Sequence, residues 1–150
     1  MTHAALLMLL LAAAGPAPEQ TPSETWLQYL KVVEAAKQWR EVEPWLSPSF
    51  REKLAARVAK GSATYDKALA LFKSLLPKEP LVLGEERRGL RVRLTVKGRV
   101  KNVLADEYRP STGWVELVPR DDGAWLVAAE DWVEDPREPE SPAVSGESGL

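Results

Sequence analysis

Imidazole and thiol chemistry are the first casualties of this sequence: its single His is His3, inside an apolar leader, and it has no Cys. Once that leader is removed, imidazole acid–base catalysis, thiol nucleophiles and the His or Cys ligands of zinc and most transition-metal sites are all gone. Carboxylates, Tyr, Lys, Ser and Thr remain. No Gly-rich phosphate loop, calcium loop or serine-nucleophile elbow occurs along the chain. The sequence therefore implies no cofactor, no metal and no ready-made catalytic residue.

Aromatic and basic side chains are the other groups that could recognise something. Of the six Trp residues, Trp26, Trp114, Trp125 and Trp132 fall in periodic segments and are expected in the core. Trp39 and Trp45 lie in a short irregular link, which makes them candidates for lining a pocket mouth, where exposed rings stack on sugars or small apolar molecules. Arg87, Arg88, Arg91, Arg93, Lys97, Arg99 and Lys101 form a basic stripe without interleaved aromatics. A solvated face paired with Glu85, Glu86 and Glu116 across a sheet is the expectation, and no nucleic-acid partner is implied.

These groups need elements to position them. At 150 residues, 45% apolar and 28% charged, the chain is long enough for one ordinary core. Residues 1–14, MTHAALLMLLLAAA, read as a signal peptide cleaved after Ala14; the apolar run is shorter than the roughly 18 to 20 residues of a spanning helix. Export to the periplasm or beyond is expected, with no membrane span after cleavage. Residues 15–21 read as a Pro-rich tether, 22–133 as the domain, and 134–150 as a disordered acidic tail. That tail carries −4 of a formal net charge of −2, leaving +2 for the rest and no reason to expect a polyanion partner.

Within the domain, Thr21, Pro22 and Glu24 start a helix whose stripe is Trp26, Leu30 and Val33, with Tyr29 beside it, and which runs to about Gln38. Ser47 and Pro48 open another, carrying Phe50, Leu54 and Val58, and residues 63–76 a third with Tyr65, Leu69, Phe72 and Leu76. From Leu81 the apolar period drops to two. Leu90, Val92, Leu94 and Val96 mark a half-buried strand, preceded by a shorter one over 81–86. The segment 98–112 reads equally as strand or loop. Gly113 to Val133 forms a β-hairpin about a turn ending at Gly123, with Trp125 as its expected stability centre.

Helices first and strands afterwards predict an α+β domain, amino-terminal helices packed on a curved antiparallel sheet of about four strands. Trp26 to Leu30, "QWREVEPWLSP", "GEERRGLRVRLTV" and "GWVELVPRDDGAWLVAAEDW" together resemble the nuclear-transport-factor-2-like superfamily, in the style of its small exported bacterial members. The usual Lys after the hairpin Trp is Leu126 in this chain. The resemblance implies a cone between helices and sheet, where steroid-isomerising members place a carboxylate base and a Tyr hydroxyl. Tyr29 lies on the helix where such a Tyr would sit, and no acid matches it, because Glu41 and Glu43 belong to a charged, surface-like run. Tyr29 is instead expected as a wall residue with its hydroxyl at the rim.

The expected function is an exported, non-enzymatic binding or protein-interaction module of unknown ligand, with a small apolar molecule among its candidate partners and Tyr29, Trp39 and Trp45 as ligand-binding residues. The alternative is an isomerase or lyase acting on a small apolar substrate in the cone. A homodimer is expected through the sheet, because Val115, Leu117, Trp125, Val127 and Ala129 alternate onto one face of the hairpin while Trp114, Val118, Leu126 and Ala128 alternate onto the other.

Overall fold

Three hydroxyls begin the three α-helices among the described residues. Thr21 Oγ1 accepts from Glu24 N at 3.2 Å and opens α1, Pro22–Ala35; Ser47 Oγ accepts from Phe50 N at 3.3 Å and opens α2, Pro48–Ala59; Thr64 Oγ1 accepts from Lys67 N at 3.2 Å and opens α3, Tyr65–Ser74. Each satisfies a first-turn N–H that the helix itself leaves without a partner. This computed structural model describes residues 15–61 and 63–137, so the leader and the tail beyond 137 lie outside the described residues. Between α1 and α2 run two short 3₁₀ turns, Trp39–Glu41 and Glu43–Trp45.

Four antiparallel strands follow in sequence order, β1 Lys78–Arg88, β2 Arg91–Asn102, β3 Glu107–Pro119 and β4 Trp125–Glu134. The sheet is open and the fold is α+β, as the order of segments predicts. The ambiguous stretch 98–112 turns out to be the far end of the long β2–β3 hairpin, paired without a break from Val92↔Leu117 to Asn102↔Glu107. Only that long-range register makes a strand of residues whose own pattern is weak.

The helices cover one face, hereafter the inner face. Trp26, Tyr29, Leu30 and Val33 of α1 meet Val92, Leu94 and Val96 of β2, Val115 and Leu117 of β3 and Val127 of β4 in a single core. Trp132 joins it by lying flat over two glycines. A Cβ at Gly113 would collide with the Trp132 ring and the Asp131 carbonyl, and one at Gly98 would come within 3.7 Å of the same ring. Glycine at 113 is what the indole needs, whereas glycine at 98 mainly makes room for Pro77 and the Lys78 carbonyl, and the Trp132 ring settles at a centroid distance of 6.4 Å from Trp26.

A bulge decides what else faces in. Leu117 pairs with Val127 but Glu116 pairs with Ala129, leaving Ala128 unopposed and shifting the side-chain phase of β4. Unbroken alternation would put Ala129 inside. The shift moves Ala129 outside and turns Glu130, opposite Val115, and Trp132, opposite Gly113, toward the helices.

The outer face is largely polar. Arg91 and Arg93 grip Glu116 at 2.6 and 3.4 Å, and Arg93 lies 4.2 Å over the Trp114 ring, so most of the basic stripe is the solvated face expected of it. Arg87 leaves that stripe: it pairs with Val92, on the inner side, and sits 5.6 Å from the Trp125 ring. Leu126, on the outer side by alternation, is nevertheless buried within the single chain. The stretch expected as a tether also packs, because Pro16 is fully buried and its carbonyl accepts from Arg120 Nη2 at 3.1 Å.

Candidate functional site

The three residues singled out from sequence share the hydrophobic core but line no common cleft among those described. Trp39 lines a shallow depression of about 290 Å³ with Glu43, Arg51 and Tyr65. Its own ring is 7% exposed and stacked on Phe72 and Tyr65 at 5.3 and 6.0 Å, which leaves little surface for a sugar. Trp45 is a core residue. Tyr29, expected at a rim, is 3% exposed beneath the helices.

Glu41, one of the two acids weighed as a partner for Tyr29, has a structural post. Its Oε2 accepts from the backbone N–H groups of Gln38 and Lys37, both at 2.7 Å, and those bonds hold its carboxyl below the usual range. It caps the first 3₁₀ turn.

The acid near Tyr29 is Glu130, which the bulge delivers. Burial pushes its carboxyl pKa up, and the nearby Trp26 indole N–H partly offsets the shift. The Tyr29 phenol is raised strongly too, first by burial and then by the charge of Glu130, so it stays protonated at neutral pH. Around this pair the polar atoms are poorly matched. Glu130 Oε2, Trp26 Nε1, Trp132 Nε1 and Thr25 Oγ1 are all shut off from solvent, and none makes a hydrogen bond of ordinary length and angle among the described residues, although the Trp26 N–H lies near enough to Glu130 to ease its charge. Leaving such groups unpaired costs roughly 1 to 3 kcal/mol each, an expense the core would avoid with apolar side chains. A carboxyl of raised pKa facing a neutral phenol can in principle hold and pass a proton. Neither Glu130 nor Tyr29 lines the depression beside Trp39 or either of the other two clefts described.

Room is found elsewhere. A cleft of about 650 Å³ opens between α1, the end of α3 and the link into β1. Leu27, Leu30, Leu76, Pro77 and Pro80 give it apolar walls, and Lys31, Lys73, Lys78, Glu34 and Glu79 supply its charge. Lys78 Nζ stands 4.0 Å from the centroid of the Tyr108 ring, a cation–π contact at the cleft wall, and Lys73 Nζ donates to the Glu34 carbonyl at 3.4 Å. None of these five charged side chains forms an ion pair among the described residues. No group of acidic side chains suited to a metal ion occurs among the described residues.

Sequence reasoning missed both places for the same cause. Leu27 lies beside the main apolar stripe of α1 and Lys31 off it, and only the docking of α3 and the 76–80 link turns that flank into a cleft wall. Glu130 is inward only because of a bulge that strand pairing creates. No known protein-family model matches the chain, and no significantly similar curated protein or solved structure is found.

Proposed function

We propose that the chain is an exported binding module of the nuclear-transport-factor-2-like kind, and that its ligand is a small apolar or amphipathic molecule held in the cleft between α1, α3 and the 76–80 link. The observation that carries this reading is the cleft itself: about 650 Å³ of space with mostly apolar walls and a few charged groups, within the usual range for small-molecule sites. Helices followed by a four-stranded antiparallel meander support the likeness in fold. The apolar leader supports export. Self-association through the outer face belongs to the same reading, with Val118 and Val133 rather than the buried Leu126 as its available apolar side chains.

A second reading, an isomerase or lyase in the cone, is favoured by one observation, the buried Glu130 beside Tyr29. One experiment separates the two. Amide NMR spectra of the full chain, titrated with 1-anilinonaphthalene-8-sulfonate as an apolar anionic probe, should shift at Leu27, Lys31, Leu76 and Lys78, and Leu27→Trp should block the response by filling the cleft. Shifts centred on Trp26, Tyr29 and Glu130 would transfer the site to the cone, and no saturable shift would overturn the binding reading.

A further inference from the structure

The β2–β3 hairpin reaches past its neighbours. β1 makes its last pairing with β2 at Lys78↔Arg99, and β4 makes its last pairing with β3 at Ser111↔Glu134. The rungs Val100↔Arg109, Lys101↔Tyr108 and Asn102↔Glu107 therefore have no strand on either side. Three rungs at about 3.4 Å per residue carry the turn roughly 10 Å beyond the four-stranded body. On that turn Leu104 is 99% exposed and Val103 73%.

Single exposed aliphatic residues are ordinary. Here two adjacent ones are displayed by a turn with fixed geometry. Asn102 Oδ1 accepts from the backbone N–H of Leu104 and of Ala105, both at 3.0 Å, Asp106 takes a left-handed φ of 51°, and Lys101 Nζ closes on Asp106 Oδ1 at 2.9 Å. Nothing in the described structure covers the side chains so presented.

Behind the turn two cations are left without an ion pair among the described residues. The acids beside it are occupied: Asp106 by Lys101, Glu107 by Arg109 at 2.6 Å, and Glu134 by the same Arg109 at 3.1 Å and by Asn102 Nδ2 at 3.2 Å. Lys97 and Arg99 make no ion pair among the described residues. Their partners across the sheet are Leu81 and Thr112 for Lys97, and Lys78 and Pro110 for Arg99, none of them acidic. The nearest acid in that row, Asp135, accepts from Thr112 Oγ1 at 2.7 Å. The opposite hairpin tip is the useful contrast. Leu90 is 80% exposed there, but its flanking Arg88 and Arg91 are tied to Glu86 and Glu116.

We infer that the β2–β3 hairpin docks the protein on an anionic lipid surface, Val103 and Leu104 entering the headgroup–acyl boundary while Lys97 and Arg99 meet lipid phosphates. The match is one of depth and charge. A projection of roughly 10 Å places the two cations at headgroup level when the turn is below it, since the polar zone on each side of a bilayer is only about 5 to 8 Å thick. Each inserted aliphatic side chain should strengthen binding by about tenfold or more, and each cation near the surface by about fivefold. The result is a reversible contact rather than a permanent anchor.

Because the chain has no Cys, Leu104→Cys carrying an environment-sensitive dye reports on one position. Co-sedimentation of the full chain with phosphatidylcholine vesicles, with and without phosphatidylglycerol, tests binding, and the dye tests insertion. Binding should require phosphatidylglycerol, the dye should shift to the blue, and the same dye on Ala70→Cys should not respond. Val103→Ser with Leu104→Ser should weaken binding by about 100-fold, and Lys97→Gln with Arg99→Gln should remove the preference for the anionic lipid. Wild-type protein that stays in the supernatant overturns the inference and leaves the turn as a protein contact. Undiminished binding of the double-Ser variant, or a dye that does not shift, overturns it as well.

Discussion

Two glutamates on neighbouring strands of one sheet meet opposite fates. Glu116 lies on the outer face, where Arg91 and then Arg93 bond its carboxylate and hold its pKa below the usual range. Glu130 lies on the inner face with one oxygen sealed off and unbonded, and burial raises its pKa. A single unopposed residue, Ala128, separates the two outcomes, because without that bulge Glu130 would point outward beside Glu116's row. The difference teaches that the charge state of a carboxyl here is decided by pleat and pairing rather than by residue type. It also leaves the inner face densely packed around buried polar atoms such as Glu130 Oε2, while the outer face carries the paired Glu116 beside Lys97 and Arg99, cations without an ion pair among the described residues.

The largest effects should come from the packing of the inner face. Trp26 is fully buried against Trp132, so Trp26→Ala should lower stability by about 3 to 5 kcal/mol. Trp125, the stability centre by sequence expectation, is only half-buried and shares its ring with the Arg87 guanidinium. Trp125→Ala should therefore lose clearly less. Urea unfolding of both variants checks the order, and equal losses would erase the distinction between a Trp in the core and one at its edge.

What the sequence revealed about these faces follows the range of the forces involved. The alternation of Val92, Leu94 and Val96, the caps at Thr21 and Ser47, and the turn closed by Gly123 are local, and each is where the residues predict it. The inward turn of Glu130 and Trp132 is not local. It depends on a register between β3 and β4 that slips by one residue, and alternation read along β4 alone gives the opposite face. The cleft was hidden for a related reason, since Leu27 and Lys31 of α1, Lys73 of α3 and Tyr108 of β3 are brought together only by the packing of three separate elements. Tyr29 was legible as a candidate for proton chemistry, but its acid was not. The signal that could have found it is the adjacent pair Glu130 and Asp131 in "WLVAAEDWV", where unbroken alternation would turn Asp131 inward and leave Trp132 outside.

An intermediate effect is expected from the mismatched carboxyl. Glu130→Gln keeps the shape and removes the charge, and it should raise stability at neutral pH by about 1 to 3 kcal/mol. A group whose folded pKa is raised contributes stability that is fully present below the ordinary carboxylate pKa and is lost as pH rises through the folded value. The wild type should accordingly approach the variant as pH falls. Thermal unfolding across the acid range measures the gap; a variant less stable than wild type at neutral pH would show that Glu130 is bonded rather than stranded.

The smallest effect belongs to the outer face and carries the opposite sign. Glu116 is held by Arg91 first and Arg93 second, and its side chain is 15% exposed while that of Arg91 is 62% exposed, so water weakens the pair. Glu116→Gln should lower stability at neutral pH by about 0.5 to 1 kcal/mol. Because the folded pKa of Glu116 is depressed, its contribution is present above the ordinary carboxylate pKa and is lost as pH falls through the lower folded value. The two Gln variants should therefore converge on the wild type in acid from opposite sides, the Glu130 variant from above and the Glu116 variant from below. Added salt should narrow the Glu116 gap, since exposed pairs are screened, and leave the Glu130 gap nearly unchanged, since burial and not an ion pair sets it. Two curves that lie on the same side of the wild type would mean that Glu116 and Glu130 share one environment, and the opposition between the faces would fail.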